Sequence, residues 1–275
     1  HVRSEKDVPS VLQMLDTNVV KNRRLLSWLR RYGHGAHCFF VSTDKAANPT
    51  SVMGASKRLM EHVLFTGAAG TASSARFANV AFSNGSLPQA FLFRLARRQP
   101  IAVPRDVRRY FVSVREAGEI CMLGAVGPNG GIAFPTLDPE ENLRPLVDIA
   151  EAVLNLHGLE AAFYEDETAA RTSVATELGR GRYPVILTPL DTSGEKPYEE
   201  FVAYGEELID TDFCTLRAVA HRRAGGALED VLEFLERAVR DAEFDITKGA
   251  IVSALSSVVE GFGHVESGRS LDERA

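Results

Sequence analysis

Apolar residues along the chain fall into short blocks whose period alternates between helical and extended. Between residues 10 and 32, Val11, Leu15, Val19, Leu26 and Leu29 recur near the helical period, and Gly33 stands where such a helix would stop. Residues 36–42 (AHCFFVS) form an apolar run between Gly35 and a polar loop, the mark of a buried parallel strand. Past Asn48-Pro49 the pattern predicts a helix through 57–65, a strand over 75–80, a polar turn at Ser83-Asn84-Gly85-Ser86 and a helix over 88–98. Residues 101–103 and 110–112 read as short strands, and Ser113 with Glu116 is a capping-box signature ahead of an apolar run to Ala125. Further strands are expected at 132–134, 161–164 and 184–188, and helices at 145–156, 228–242 and 246–259. Short apolar strands alternating with helices predict an α/β fold built on a parallel sheet.

Composition narrows the class. The chain has 275 residues, 45% of them hydrophobic, which suffices for a sizeable core and excludes disorder or a coiled coil as a whole-chain reading. No apolar run reaches the roughly 18 residues of a membrane span. Lys+Arg 31 against Asp+Glu 37 leaves −6, which argues against a nucleic-acid partner but permits local anion sites. Cys38, Cys121 and Cys214 are odd in number and lack a CxxC spacing; they read as reduced thiols of a cytoplasmic protein. The sequence opens at His1 without a leader pattern, so a fragment or processed piece is expected.

The densest chemistry is Ser42-Thr43-Asp44-Lys45, at the carboxyl end of the first predicted strand, where open α/β sheets place their ligands. A hydroxyl, a carboxylate and an amine there suit proton transfer; the plainer reading is a turn with Lys45 in solvent. Lys57 follows Met53 by four residues and shares its helical face, as a surface lysine would. His34 and His37 flank Gly35 and offer only two ligands, a poor metal site. Glu260, His264 and Glu266 read as a solvated tail, and Trp28 as a core or interface residue.

Taken together, VSTDKAANPTSVMGASKRLME (residues 41–61) resembles the extended short-chain dehydrogenase/reductases. The similarity is to their polysaccharide-biosynthesis branch of nucleotide-sugar 4,6-dehydratases, such as UDP-N-acetylglucosamine 4,6-dehydratase. Arg76-Phe77-Ala78-Asn79-Val80 with Ser83-Asn84-Gly85-Ser86 matches that branch's RFxNVxxSxGS segment. Arg109-Tyr110-Phe111 with Glu116-Ala117 matches RxFxxxxEA, and Gly194-Glu195-Lys196-Pro197-Tyr198-Glu199-Glu200 matches GEKxxEE. His1-Val2 and Thr17-Asn18-Val19 fit the stretch before the catalytic strand, so the resemblance runs over about residues 1–205.

The resemblance implies a Rossmann-like parallel sheet in residues 1–125, some segments of which contribute to the substrate lobe, and a smaller substrate-binding lobe with a helical extension in 126–275. The family's glycine-rich GxxGxxG turn and first strands precede the matched stretch, and the fold is expected to lack them. It implies oxidation at sugar C4 by NAD or NADP, loss of the C5 proton and the C6 hydroxyl, and return of the hydride. Lys45 would be the base at C5, Asp44 the acid at the C6 oxygen, and Thr43 a hydrogen-bond partner of the C4 oxygen. Ser42, Lys57 and Asn79 would meet the cofactor, with Lys57 on the ribose. Asn79, Ser83 and Asn84 would hold the sugar and pyrophosphate, Arg109 (or equally Arg108 beside it) a phosphate, and Glu195 with Lys196 a lid contact near the nucleotide. Met53 occupies the slot where the family's YxxxK motif has its tyrosine, as in a subset of 4,6-dehydratases, and Met carries no proton. The partner is then a UDP-sugar, and a homo-oligomer is compatible with the family. Two other readings share the residues: a UDP-sugar C4 or C5 epimerase, and a non-catalytic binding or scaffold subunit.

Overall fold

The computed structural model describes residues 5, 7–127, 130–190, 196–224, 227–241 and 243–265. Helix α1 (Val8–Leu15) is capped by the Asp7 carboxylate, which accepts from the Ser10 amide. It runs through a π-helical turn (Asp16–Val20) into α2 (Lys21–Tyr32), so the expected single helix is widened in the middle. Amide nitrogens of the Asn18 and Asn22 side chains stabilise the widening: Asn22 donates to the Asn18 carbonyl at 2.8 Å, and Asn18 donates to Ser56 Oγ at 3.0 Å. Strand β1 (Cys38–Val41) follows, then α3 (Val52–Gly67), β2 (Ala72–Ala75), β3 (Asn79–Val80) and α4 (Leu87–Ala96). Next come β4 (Ile101–Pro104), β5 (Arg108–Arg109), β6 (Phe111–Val112), α5 (Val114–Val126), β7 (Gly131–Pro135), α6 (Pro139–Asn142), β8 (Arg144–Pro145) and α7 (Leu146–Leu156). The last are β9 (Glu160–Tyr164), α8 (Glu167–Leu178), β10 (Arg182–Thr188), β11 (Leu208–Ile209), β12 (Leu216–Ala220), α9 (Leu228–Arg240) and α10 (Lys248–Val258).

The main sheet has the order β1-β2-β7-β12-β11. The first three strands are parallel and the last two join antiparallel, so the expected parallel sheet is mixed. Phe39 and Phe40 point to opposite faces by the strand's period of two. Phe40 packs with α3, whereas Phe39 packs with α5, where Gly124 leaves room for its ring. β1 has a strand partner on one side only among the described residues, and its Val41 is exposed, unlike the fully buried strand expected.

The second sheet is parallel, β4-β10-β9, and encloses its own core of Phe91, Ile101, Val103, Leu154, Tyr183 and Val185. The division expected at residue 125 does not fall between the sheets. β7 and β12, from beyond it, complete the main sheet, and β4, from before it, belongs to the second. The expected strand over 75–80 also divides. Residues Ala72–Ala75 pair with β1, and Asn79–Val80 pair with β6 in a separate two-stranded ladder.

The C-terminal helices join the first core. Val231, Leu232 and Leu235 of α9 and Ile251 and Leu255 of α10 are buried with Val11, Leu15, Leu59 and Val63 of α1 and α3. Arg23 pairs across this contact with Glu229 and Glu236. Past α10, the Gly263 and Val265 amides donate to the Pro49 and Thr50 carbonyls, tying the end of the described chain to the loop before α3. Leu235 is fully buried, and truncating such a leucine costs about 2–5 kcal/mol. Leu235→Ala should therefore lower the denaturant midpoint of the whole chain in one transition. A separate early transition, or no shift, would mean that α9 is not part of the core.

Candidate active site

The turn after β1 is fixed from both sides. The Ser42 amide donates to the Ala75 carbonyl at 2.8 Å and the Asp44 amide to the Phe77 carbonyl at 3.0 Å, which continues the β1–β2 pairing beyond the strands. Residues Asp44–Ala46 then close a 3₁₀ turn. Asp44 is 1% exposed. Its Oδ1 accepts from Thr43 Oγ1 at 2.8 Å, the Lys45 amide at 2.9 Å and Lys45 Nζ at 2.9 Å, while Oδ2 is buried with no hydrogen-bond partner among the described residues. The plainer reading of this loop, a turn with its lysine in solvent, does not hold: Lys45 lies against Asp44, with Glu199 Oε1 3.9 Å away.

Lys57 reaches back along the same strand end and donates to the Val41 carbonyl at 3.2 Å. Burial lowers its pKa, with Glu61 opposing. Met53, one turn earlier, is half-buried against the helical core, and its amide donates to Glu5 Oε1.

Asn79 donates through its backbone and its side-chain amide to the Tyr110 carbonyl. Ser83 Oγ donates to the Val80 carbonyl at 2.8 Å and closes the turn, in which Asn84 is exposed. Arg109 has a different first task from the phosphate contact expected of it. Its Nη1 donates to the carbonyls of Lys196 at 3.0 Å and Pro197 at 3.2 Å, holding that segment beside β5. Its Nη2 stands 4.0 Å from Glu199. Lys196 Nζ lies 3.7 Å from Glu199 Oε2, and Glu195 lies outside the described residues. Ser42, assigned to the cofactor, instead donates its hydroxyl to Glu61 Oε1 at 2.6 Å.

That last bond leads into a buried ionic cluster. Glu61 and Arg76 are both 0% exposed and form a two-point pair at 3.0 and 2.9 Å. Arg76 also grips Glu206 at 2.6 and 2.7 Å and the Phe201 carbonyl at 2.7 Å. Arg58 bridges Glu61 and Glu206, and Glu206 accepts from the Ala203 amide at 2.7 Å. Burial alone would push both carboxyls up. The arginines outweigh it, holding Glu61 below the usual range and Glu206 down at about 2. Beside the cluster, His62 and His221 share a hydrogen bond at 3.0 Å, and His221 stacks on Phe65. Burial, helped by the Arg58 charge, lowers the two imidazoles to about 3 and about 4.

Nothing in the sequence alone singles out Glu61, Glu199 or Glu206 for a role. Arg58 and Glu61 lie in the 41–61 stretch, Arg76 opens RFxNV and Glu199 sits inside the GEKxxEE segment, so the motifs contain these four residues without revealing that they are buried. A literal GxxGxxG spacing exists at Gly124, Gly127 and Gly130, but it leads from α5 towards β7. A dinucleotide turn leads from strand to helix. His37 bonds Thr71 and Ser73, and no cluster of three or more metal-ligating side chains occurs among the described residues. The three cysteines are free, Trp28 is exposed, and no described helix is long and apolar enough to cross a membrane.

Residues 1–219 match the family model described as polysaccharide biosynthesis protein, and the chain belongs to that family. It is 28% identical over 167 residues to the capsular polysaccharide biosynthesis protein CapD of Staphylococcus aureus, covering 58% of this chain and 27% of that one. It is 32% identical over 172 residues to the probable polysaccharide biosynthesis protein EpsC of Bacillus subtilis, covering 60% and 25%. The chain thus spans about a quarter of the length of these two relatives. In fold it is similar to a UDP-glucose 4-epimerase from Thermotoga maritima, solved with UDP-glucose, at a TM-score of 0.52 and 15% identity, covering 74% of this chain and 67% of that one.

Because His62 and His221 are held neutral, unfolding lets each take up a proton below about pH 6.5. Their contribution is complete above that pH and is lost as pH falls towards about 4 and about 3. The melting temperature should therefore begin to fall on acidification from about pH 6.5, well above the carboxylate range. A flat profile from about pH 7 to about pH 5 would contradict the buried pair.

Proposed function

We propose that the chain supplies the acid–base and sugar-binding part of a nucleotide-sugar 4,6-dehydratase acting on a UDP-hexosamine, such as UDP-N-acetylglucosamine, in polysaccharide biosynthesis. The observation that carries this reading is the 2.9 Å contact of Lys45 with the buried Asp44 at the carboxyl end of β1, beside Lys57. Dehydration across C5 and C6 needs one group to take the C5 proton and another to protonate the departing C6 oxygen, and an amine next to a carboxyl can do both. Lys45 is assigned as base and Asp44 as acid, with Asp44 Oδ1 the oxygen in contact with the lysine nitrogen. Thr43, assigned to the C4 oxygen, donates its hydroxyl to Asp44 Oδ1 at 2.8 Å.

NAD or NADP fits one of the three residues assigned to it. An ammonium has three donors, and the described contacts of Lys57 are the Val41 carbonyl and the Met60 sulfur, so it retains capacity for a ribose hydroxyl. Ser42 and Asn79 direct their side chains to Glu61 and Tyr110 and act as supports of the site. The chemistry a bound nicotinamide supplies is removal of the C4 hydride and its later return. Ser83, Asn84, Arg109 and Lys196 are the residues the resemblance assigns to the sugar and its phosphates. A UDP-sugar epimerase would use the same opening oxidation, and product mass separates the two.

Incubation with UDP-N-acetylglucosamine and the oxidised cofactor should yield a product lighter by one water; an isomer of unchanged mass would favour the epimerase. Asp44→Asn and Lys45→Ala should each cut turnover by about 10²–10⁴-fold while retaining the fold. Met53→Ala should cost far less, since its side chain packs with the core. Near-normal turnover in either Asp44→Asn or Lys45→Ala would overturn the assignment.

A further inference from the structure

We propose that Glu199, a positioning residue on the segment held by Arg109, decides whether the shared proton of the Lys45–Asp44 pair rests on nitrogen or oxygen. The inference rests on the dehydratase reading for its catalytic meaning, but its geometry stands alone. Glu199 is 4% exposed, its Oε1 is 3.9 Å from Lys45 Nζ, and its Oε2 is buried without a hydrogen bond among the described residues. Lys45 is thus placed between two buried carboxyls, Asp44 at 2.9 Å and Glu199. The charged groups facing Glu199 are Lys45 and Asp44 from the turn after β1, Arg109 from β5 and Lys196 from its own segment. None of these four gives Glu199 a hydrogen bond: the three cations stand 3.7 to 4.0 Å away.

Two buried anions beside one ammonium hold the proton on nitrogen. When Glu199 is neutral, one anion remains, and the proton can pass along the 2.9 Å contact. The Lys45 N–H bond breaks, an O–H bond forms on Asp44, and both groups become uncharged, which a low-dielectric site favours. The products are the free amine and the carboxylic acid that dehydration requires. Burial, reinforced by the Asp44 charge and opposed by the cations, raises the Glu199 pKa and so favours its neutral form.

The test is pH-dependent acylation of Lys45 by acetic anhydride, read by peptide mass spectrometry in the wild-type chain and in Glu199→Gln. Only the free amine reacts. A unit charge about 4 Å away is worth at least about 1 kcal/mol, or roughly fivefold in the amine population. The two proteins should label alike near pH 6, and the variant should lead by about fivefold or more towards pH 10, where the wild-type carboxyl is ionised. Overlapping curves throughout would overturn the proposal. Should the variant fail to fold, the ¹³C-carboxyl signal of Glu199 in the wild type decides. It should remain that of a protonated acid at a pH where exposed glutamates are ionised, and an ionised signal there would overturn it. Neither readout needs turnover, so an inactive chain that still shows the labelling gap counts against the dehydratase reading and leaves the Glu199 proposal standing.

Discussion

The site depends on a charge that the fold has buried completely. Arg76, at the end of β2, has no exposure to solvent and binds two carboxylates from two distant parts of the chain, Glu61 on α3 and Glu206 before β11. A buried ion cluster of this kind is expensive to desolvate, and losing one partner typically costs about 3–5 kcal/mol. Its consequence here is registration. Ser42 bonds Glu61, so the turn carrying Asp44 and Lys45 is referenced to α3. Arg76 also takes the Phe201 carbonyl, and Glu206 takes the Ala203 amide, so the segment carrying Lys196 and Glu199 is referenced to the same guanidinium. Two stretches some 150 residues apart in sequence thus meet across Lys45 and Glu199 at 3.9 Å.

Much of this arrangement could be read in the sequence. The alternation of apolar runs with helical patterns yields the α/β class, and Ser113 with Glu116 forms the capping box at the start of α5. The Ser42–Lys45 turn does stand at the end of the first strand, with Lys57 reaching the same strand end. What was illegible has physical causes. β2 is built from Ala72, Ser73, Ser74 and Ala75, small and polar residues buried by their neighbours, so hydrophobicity shifted the expected strand onto the following residues. β11 is two residues long, and β12 pairs antiparallel with β7, an edge that βαβ alternation does not announce. The buried glutamates look like surface charge in sequence, because only the fold brings their arginines to them.

The helical extension shows how little a family boundary says about integrity. The family match ends at residue 219, yet α9 and α10 lie beyond it and are packed into the core that α1 and α3 begin. Their end is tied to the Pro49–Thr50 loop, two residues ahead of α3, and His264 bonds the Glu5 carboxylate that receives the Met53 amide. The Met53 backbone is thus held by Glu5, which is itself contacted from outside the matched region by His264. The proposed reading accordingly assigns proton handling to Asp44, Lys45 and Glu199 rather than to the start of α3.

The central claim is that one guanidinium registers both halves of the site, and amide hydrogen exchange in Glu61→Gln tests it most directly. The amides of Asp44, bonded to Phe77, and of Ala203, bonded to Glu206, belong to different segments and have no direct contact with the altered oxygen. The account predicts that both lose protection together while amides in the second sheet, such as Val185, keep theirs. Loss at Asp44 alone, with Ala203 unchanged, would contradict a shared anchor.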